Sequence, residues 1–206
     1  MLLTFTTVTS FAESNYKEKG SLFVARAYAI KSIDEAILIL EKNKKDLYDA
    51  AHHCYAIRLS DGTTKYSDAG EPSGTAGVRI LQAIEHQELY NVLVVVIRYF
   101  GGVKLGVGPL GKAYYTAAND ALEKTERVAK YAYMEMTIRA EYDRSSALYH
   151  LFSQYPVKIL NTRFDEYAEF ELLVRLDVIE QFQEKLVDVC CGKVKTLSIS
   201  KETLYL

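Results

Sequence analysis

Six consecutive apolar residues, Val92 to Ile97, limit the folds open to this chain more than any other stretch. The run is far shorter than the roughly 20 residues that a membrane-spanning helix needs. Short runs of branched aliphatic residues are instead typical of a strand whose two faces are both buried. We therefore predict a central strand over 92–98 in a 206-residue chain that crosses no membrane.

The second half of the chain carries the clearest pattern of strands and helices. Apolar residues alternate over 131–140 and again over 168–176, which is the period of a half-buried strand. The predicted elements in chain order are a strand over 131–140, a helix that starts after Asp143 and stops near Pro156, strands over 157–160 and 168–176, a helix opened by a capping box of Asp177 and Glu180 and ended by Gly192, and a strand over 193–200. This β-α-β-β-α-β order is that of ferredoxin-like folds.

The first half combines strands and helices in a different order. Ser32 and Glu35 form a capping box, and Asp61-Gly62 is a hairpin turn signal. The predicted elements are strands over 4–10 and 22–30 joined through polar residues 13–20, a helix behind the capping box, strands over 51–59 and 63–66, a helix over about 75–87, the strand over 92–98, and a helix after a glycine-rich loop at 101–111. The expected fold class is α+β with two domains, at 1–127 and 128–206.

The overall charge excludes one broad class of function. The chain has 25 Lys and Arg against 27 Asp and Glu, so it is not a protein that coats nucleic acid by bulk positive charge. Its three cysteines form no disulfide framework, and the N-terminus lacks the features of a signal peptide. We expect a cytoplasmic protein with free thiols.

One segment departs from this charge balance. No Asp or Glu lies between residues 89 and 119, whereas Arg98, Lys104 and Lys112 are all present. Glycines around these cations can expose backbone N–H groups to an anion, and the guanidinium of Arg98 can grip a phosphate or carboxylate. We therefore expect the cations to gather at one anion site.

A second polar loop, over 67–77, contains the carboxylates of Asp68 and Glu71. Together with His52 they are weak candidates for acid and base catalysis, but turn formation and helix capping are the favoured interpretation of such a loop. Pairing of Arg98 with Asp68 or Glu71 in a tight turn is the alternative to an anion site, and both stay open at this point.

Two motif matches do not support a cofactor or a metal. The glycines of 106–111 fit nucleotide-binding patterns, but Ala113 stands where a P-loop needs the Ser or Thr that binds Mg²⁺. His52 and Cys54 point to one face of a predicted strand, yet no second pair of ligands accompanies them. We expect no bound cofactor and no metal site.

Three stretches of the first half resemble the IMPACT/YigZ family. They are, in chain order, His52-x-Cys54, Ser67-Asp68-x-Gly70-Glu71-Pro72-Ser73-Gly74-Thr75-Ala76-Gly77 and Val95-Val96-Ile97-Arg98-Tyr99-Phe100-Gly101-Gly102-Val103-Lys104-Leu105-Gly106. The resemblance implies a first domain like the small-subunit ribosomal-protein fold that also forms domain IV of elongation factor G, and a second domain like domain V of that factor. Lys112 stands where members commonly have Arg, and Pro109 removes one N–H from the expected anion-binding loop.

The resemblance implies a general area of function rather than a reaction. Eukaryotic members are translational regulators that restrain a stress-activated kinase, a role tied to an additional N-terminal domain that we do not expect in this chain. The expected function is a translation-associated regulator, rather than an enzyme, that binds RNA, the ribosome or a protein of the translation apparatus. The expected binding residues are Ser73, Thr75, Arg98, Tyr99, Gly101, Gly102, Lys104, Gly106 and Lys112.

Two other functions remain as alternatives. The first is an enzyme that acts on a small phosphorylated or carboxylated substrate, with Asp68 or Glu71 as acid or base and Arg98 as substrate clamp. It requires these groups to border one open cleft. The second is a protein-interaction domain that uses the outer sheet face of 129–206, with the oligomeric state left open.

Overall fold

The computed structural model describes residues 2–206 apart from the side chain of Lys201, and it divides the chain into two compact units. The first unit runs to Ala129, and the second covers Lys130–Leu206. The sequence patterns placed this division after residue 127. Helices and strands occur in both units, which makes the protein a mixed α/β chain. No helix among the described residues is long and apolar enough to span a membrane.

A five-stranded antiparallel sheet forms the centre of the first unit. Its strand order is β2-β3-β6-β4-β5, which brings the central strand between β3 and β4. The elements of this unit are β1 (Thr4–Val8), β2 (Ala12–Glu18), β3 (Ser21–Ala29), α1 (Ile33–Asp46), β4 (His52–Arg58), β5 (Thr64–Ser67), α2 (Gly77–His86), β6 (Val92–Tyr99) and α3 (Val107–Glu123).

Strand β6 is buried on both faces, as its apolar run predicts. Val94 and Val96 face a core that also contains the apolar residues of α2 and α3. Val95 and Ile97, which alternate with them, face a second core on the side of α1. Helices therefore cover the sheet on both sides, with α2 and α3 on one face and α1 on the other.

Two connections differ from the predicted ones. The polar segment 13–20 is mostly strand β2, because Ala12 and Ser14 alternate inward while their polar neighbours face solvent at the sheet edge. The glycine-rich loop is shorter than expected, since α3 already begins at Val107. Pro109 lies in the first turn of that helix, where a backbone N–H has no intrahelical partner to lose.

The capping box at the start of α1 is confirmed. The Glu35 N–H donates to Ser32 Oγ at 3.2 Å, and the Glu35 carboxylate accepts from the Lys31 N–H at 2.7 Å. The reciprocal bond thus reaches the residue before the cap. Both bonds satisfy backbone N–H groups that have no helical carbonyl to donate to.

The second unit has the strand order of a ferredoxin-like fold, β10-β7-β9-β8, with all neighbours antiparallel. Both of its helices pack on one sheet face, against a core that includes Ile138, Phe170 and Leu172. Its elements are β7 (Arg127–Ala140, starting in the last residues of the first unit), α4 (Ser145–Gln154), β8 (Val157–Phe164), β9 (Ala168–Arg175), α5 (Ile179–Val189) and β10 (Val194–Tyr205).

Neither Asp143 nor Asp177 caps the helix that follows it, which corrects the capping box predicted for α5. Asp143 and Asp177 lie inside short 3-10 turns, Tyr142–Arg144 and Leu176–Val178, that precede the two helices. The Asp177 carboxylate accepts instead from the Arg175 guanidinium at 2.7 Å. An ion pair two residues upstream therefore takes the carboxylate that the spacing assigned to the helix end.

Candidate functional site

Arg98 is an internal residue, paired with Glu71. The two side chains are 6% and 4% exposed, and Arg98 Nη1 donates to Glu71 Oε1 at 2.6 Å. Arg98 Nη2 donates to Ser21 Oγ at 3.3 Å. The guanidinium thus pairs with a carboxylate from the loop after β5, while its Nε is buried without a hydrogen-bond partner among the described residues. The expectation that Arg98 faces a bound phosphate is corrected in favour of the alternative in which it pairs with Glu71.

Further polar side chains complete this buried polar network, which consists of Ser21, His52, Cys54, Glu71, Arg98 and Tyr114. The Tyr114 hydroxyl donates to the same Glu71 oxygen at 2.8 Å. His52 Nδ1 lies 2.9 Å from the Ala69 carbonyl, which leaves Nε2 3.8 Å from Glu71. Cys54 Sγ donates to a carbonyl of the same loop at 2.9 Å. Four of these side chains, those of His52, Cys54, Arg98 and Tyr114, thus hold the loop 67–76 against the sheet.

Burial governs the ionisation of the thiol and the phenol in this network. Burial raises the pKa of Cys54 to about 12, and burial also raises the pKa of Tyr114, so neither group supplies an anion near neutral pH. Four surface cavities of 340–410 Å³ are lined by residues other than His52, Glu71 and Arg98. Glu71 and Arg98 pair with each other instead of bordering an open cleft.

Asp68 also serves the loop rather than a substrate. Its carboxylate accepts the backbone N–H groups of Gly74, Ala76 and Gly77 at 2.8–2.9 Å, the last of these at the start of α2. Burial by itself would raise the pKa of Asp68, but these three hydrogen bonds outweigh it and lower the pKa. The carboxylate is therefore fully ionised and engaged near neutral pH.

Two other expected ligands of an anion in this region have different surroundings. Thr75 is buried and donates its hydroxyl to the Pro72 carbonyl at 2.6 Å, so it does not face solvent. Tyr99 is half-buried and donates to Asp49 at 3.1 Å. Ser73 remains exposed. Of these three predicted binding residues, Thr75 is internal, Tyr99 is engaged with Asp49 at the surface, and Ser73 is exposed.

The glycines of the loop 100–106 are required by the backbone path. A Cβ on Gly101 would lie 1.9 Å from the carbonyl carbon of Gly20, and the Gly101 N–H already donates to Ser21 Oγ at 3.2 Å. Gly102 and Gly106 both have φ of +82°, a conformation that favours glycine. The Gly101 amide is consequently not available to an anion, and the loop owes its shape to its contact with the β2–β3 turn.

The exposed cations of this face lie beside α3 instead. Lys104 and Lys112 are both exposed, and Lys112 lines an open groove of about 360 Å³ between α2 and α3. We call it the α2–α3 groove; its lining residues are Arg79, Gln82, Gly108, Gly111, Lys112 and Tyr115. No carboxylate is among them. Across residues 2–206, the ion pairs of the protein involve neither Arg79 nor the two lysines.

Arg79 is the residue that the sequence analysis missed. It lies one helical turn from Gln82 on α2 and donates to that side chain at 3.0 Å. A Cβ on Gly111 would lie 3.2 Å from the Nε of Arg79. The absence of a side chain at Gly111 therefore makes room for the arginine. Nothing in the local pattern signals this pairing, because it depends on how α2 and α3 pack together.

The groove resembles a site for a phosphate more closely than any other arrangement on this face. A guanidinium and an ammonium from two different helices line it, and Gly108 leaves the first turn of α3 open beside them. Gly108 and Gly111 are in the first turns of α3, where the helix dipole adds to the positive potential. Lys112 therefore shares the groove with Arg79, whereas Arg98 is paired inside the fold and Lys104 is exposed but does not line the groove.

Comparisons with known proteins place the chain in a family. Residues 19–122 match the Impact N-terminal domain, and residues 138–193 match a domain of unknown function, DUF1949. The chain is 30% identical over 195 residues to IMPACT family member YvyE of Bacillus subtilis, with 94% of this chain and 90% of that protein covered. It is 29% identical to IMPACT family member YigZ of Escherichia coli, with 89% and 92% covered.

A solved structure is similar over both units. This crystal structure, described as that of a hypothetical protein, has a TM-score of 0.68 and 27% identity, and the match covers 98% of this chain and 100% of the other. The sequence matches extend over both domains and confirm the resemblance carried by the three motifs. The chain belongs to the IMPACT family.

Proposed function

We propose that the first unit binds RNA by its phosphate groups through the α2–α3 groove and Lys104, and that the protein acts in the cytoplasm as a regulator of translation. The observation that carries the proposal is that Arg79 and Lys112 line the same groove and that no carboxylate lines it with them. The surrounding segment, residues 89–119, contains no acid in its sequence. A chain of net charge −2 thus keeps one local surface attractive to a polyanion.

The surface suits phosphate contacts better than base recognition. Long flexible cations such as Lys104 and Lys112 follow a charged backbone without fixing a sequence, which is what most protein contacts to phosphates do. The translation apparatus is the proposed location because its RNA is structured and because the resemblance to elongation factor G domains points there. Binding should weaken steeply as salt rises, since each neutralised phosphate releases counterions.

The test is RNA binding by the full chain, measured by fluorescence anisotropy with structured and single-stranded RNA at several salt concentrations. Each phosphate contact to single-stranded RNA contributes about −0.7 to the slope of log K against log salt. Loss of two contacts should therefore make this slope less steep by about 1.4 and weaken binding about 25-fold at 0.1 M salt. The variant is Arg79→Ala/Lys112→Ala.

The matched control removes the same charge from the opposite face of the same sheet. Lys42 and Lys45 are exposed on α1, so Lys42→Ala/Lys45→Ala changes the net charge equally without touching the groove. We expect this control to bind within about twofold of the unsubstituted chain. Equal loss in both double variants would show that only overall charge matters, and no binding at low salt would refute RNA as the ligand.

A further inference from the structure

The α2–α3 groove combines two cations with one aromatic ring. Resting on the proposed function, we infer that it takes a terminal phosphate monoester between Arg79 and Lys112, with the adjoining base against the ring of Tyr115. The three side chains line the same groove, and Tyr115 follows Lys112 by three residues on α3. A phosphate and its own base can therefore contact one helix face at the same time.

The size of the groove favours a single nucleotide over a duplex. Its volume of about 360 Å³ is near the lower end of the range for pockets that hold small molecules. A duplex spreads its phosphates along two strands, whereas the two cations of this groove lie at one place and match a single phosphate group. A chain end projects beyond the rest of the molecule, and it can enter with one phosphate and one base.

The charge of the groove favours a monoester over a diester. Two cations from two helices meet at one recess, and no lining residue is acidic. A phosphate diester inside a chain carries one negative charge, whereas a phosphate monoester carries between 1.5 and 2 near neutral pH, by the values for phosphorylated side chains. The guanidinium of Arg79 can donate two parallel hydrogen bonds to such a group while Lys112 supplies a second charge.

The groove also offers a flat apolar surface beside the cations. Tyr115 is half-buried against the core under α2 and α3, and the edge of His86 packs near it with ring centroids 6.4 Å apart. This packing holds the ring in place and leaves part of it in the groove. Aromatic side chains stack on any base, so the contact adds affinity without requiring a sequence.

The glycines have a defined part in this arrangement. Gly108 is exposed with open space around the position of a Cβ, and Gly111 leaves room for the side chain of Arg79. Gly108 thus leaves the first turn of α3 open to a phosphate, whereas Gly111 allows the Arg79 side chain to lie along α3 at the groove.

The experiment compares short single-stranded RNAs of one sequence that carry a 5′-phosphate, a 3′-phosphate or hydroxyls at both ends, using the full chain and fluorescence competition. We expect one phosphorylated end to be preferred about tenfold, and Arg79→Ala or Lys112→Ala to abolish this preference. Tyr115→Leu should weaken the preferred RNA about 5- to 150-fold, the range for one stacked base. Lys42→Ala/Lys45→Ala should keep the preference.

The outcomes separate this inference from the proposed function. Equal affinity for phosphorylated and unphosphorylated ends, with binding that still depends on Arg79 and Lys112, would overturn the inference and leave RNA binding intact. No binding of any RNA would refute both. A free nucleoside monophosphate that binds as tightly as the oligonucleotide would also overturn the assignment to RNA ends. Thermal melts of each variant show whether it remains folded.

Discussion

Removing Arg98 should cost far more stability than removing an exposed cation of the same unit. In Arg98→Met the side chain keeps most of its length, but Glu71 stays buried without its charged partner. The variant loses a charge-assisted hydrogen bond at 2.6 Å and a second bond to Ser21 at 3.3 Å. Both bonds come from an ionised guanidinium, and hydrogen bonds of charged groups contribute about 1.5–3 kcal/mol each. The sum agrees with the roughly 3–5 kcal/mol measured when one partner of a buried pair is removed.

Tyr114 explains why the lower half of this range is expected. Its hydroxyl still donates to Glu71 in the variant, so the carboxylate keeps one strong hydrogen bond. We therefore expect a loss of about 3 kcal/mol in the free energy of unfolding. The double variant Arg98→Met/Glu71→Leu should recover most of it, because replacing both members of a buried pair by apolar groups is often neutral.

The assay is urea unfolding of the full chain followed by circular dichroism, with hydrogen exchange of the β3 and β6 amides to report the first unit. The matched control is Lys44→Met, which removes an exposed ion pair with Glu41 and should cost less than about 1 kcal/mol. Equal losses in Arg98→Met and Lys44→Met would refute the reasoning. A double variant no more stable than Arg98→Met would show that the cost does not come from the unpaired carboxylate.

Three further predictions concern the pH dependence of stability, the reactivity of two cysteines and the replacement of two glycines. Folding lowers the pKa of Asp68, so the ionised carboxylate stabilises the fold above its unfolded pKa, and this stabilisation is lost as pH falls through the folded pKa. The difference in unfolding free energy between the unsubstituted chain and Asp68→Asn should therefore shrink below about pH 4 in urea melts. Iodoacetamide at pH 8 should modify exposed Cys191 in native protein and leave buried Cys54, with its pKa raised to about 12, unmodified by mass spectrometry. Gly101→Ala should destabilise the chain by more than about 2 kcal/mol in urea melts because its Cβ would overlap the backbone of the β2–β3 turn, whereas Gly108→Ala, in open helix, should be neutral or stabilising by up to about 1 kcal/mol.

Each outcome has a clear contradiction. An Asp68→Asn difference that stays constant from pH 5 to pH 2 would show that its three hydrogen bonds do not select the ionised form. Faster labelling of Cys54 than of Cys191 would mean that the network opens readily. A Gly101→Ala variant as stable as Gly108→Ala would mean that the β2–β3 turn moves aside at little cost.

The sequence by itself determined the elements whose signal is periodic. The apolar run 92–97 has both faces buried, and the alternation in 131–140 and 168–176 fixes the inner faces of two strands in the second unit. The order of those elements was enough to derive the ferredoxin-like topology, because few connections are compatible with it. Strand β2 escaped detection since an edge strand with mostly polar residues carries a weak pattern.

Only the tertiary structure decided which polar groups meet. Arg98 and Glu71 are 27 residues apart, and their pairing depends on how a loop folds back over the sheet. Arg79 and Lys112 come together because α2 and α3 pack side by side. Local periodicity reports which face of an element is apolar, whereas the partner of a charge is set by long-range packing that leaves no trace in neighbouring residues. The acid-free segment contains Lys104 and Lys112, which reach solvent, and Arg98, which long-range packing pairs with Glu71 inside the fold.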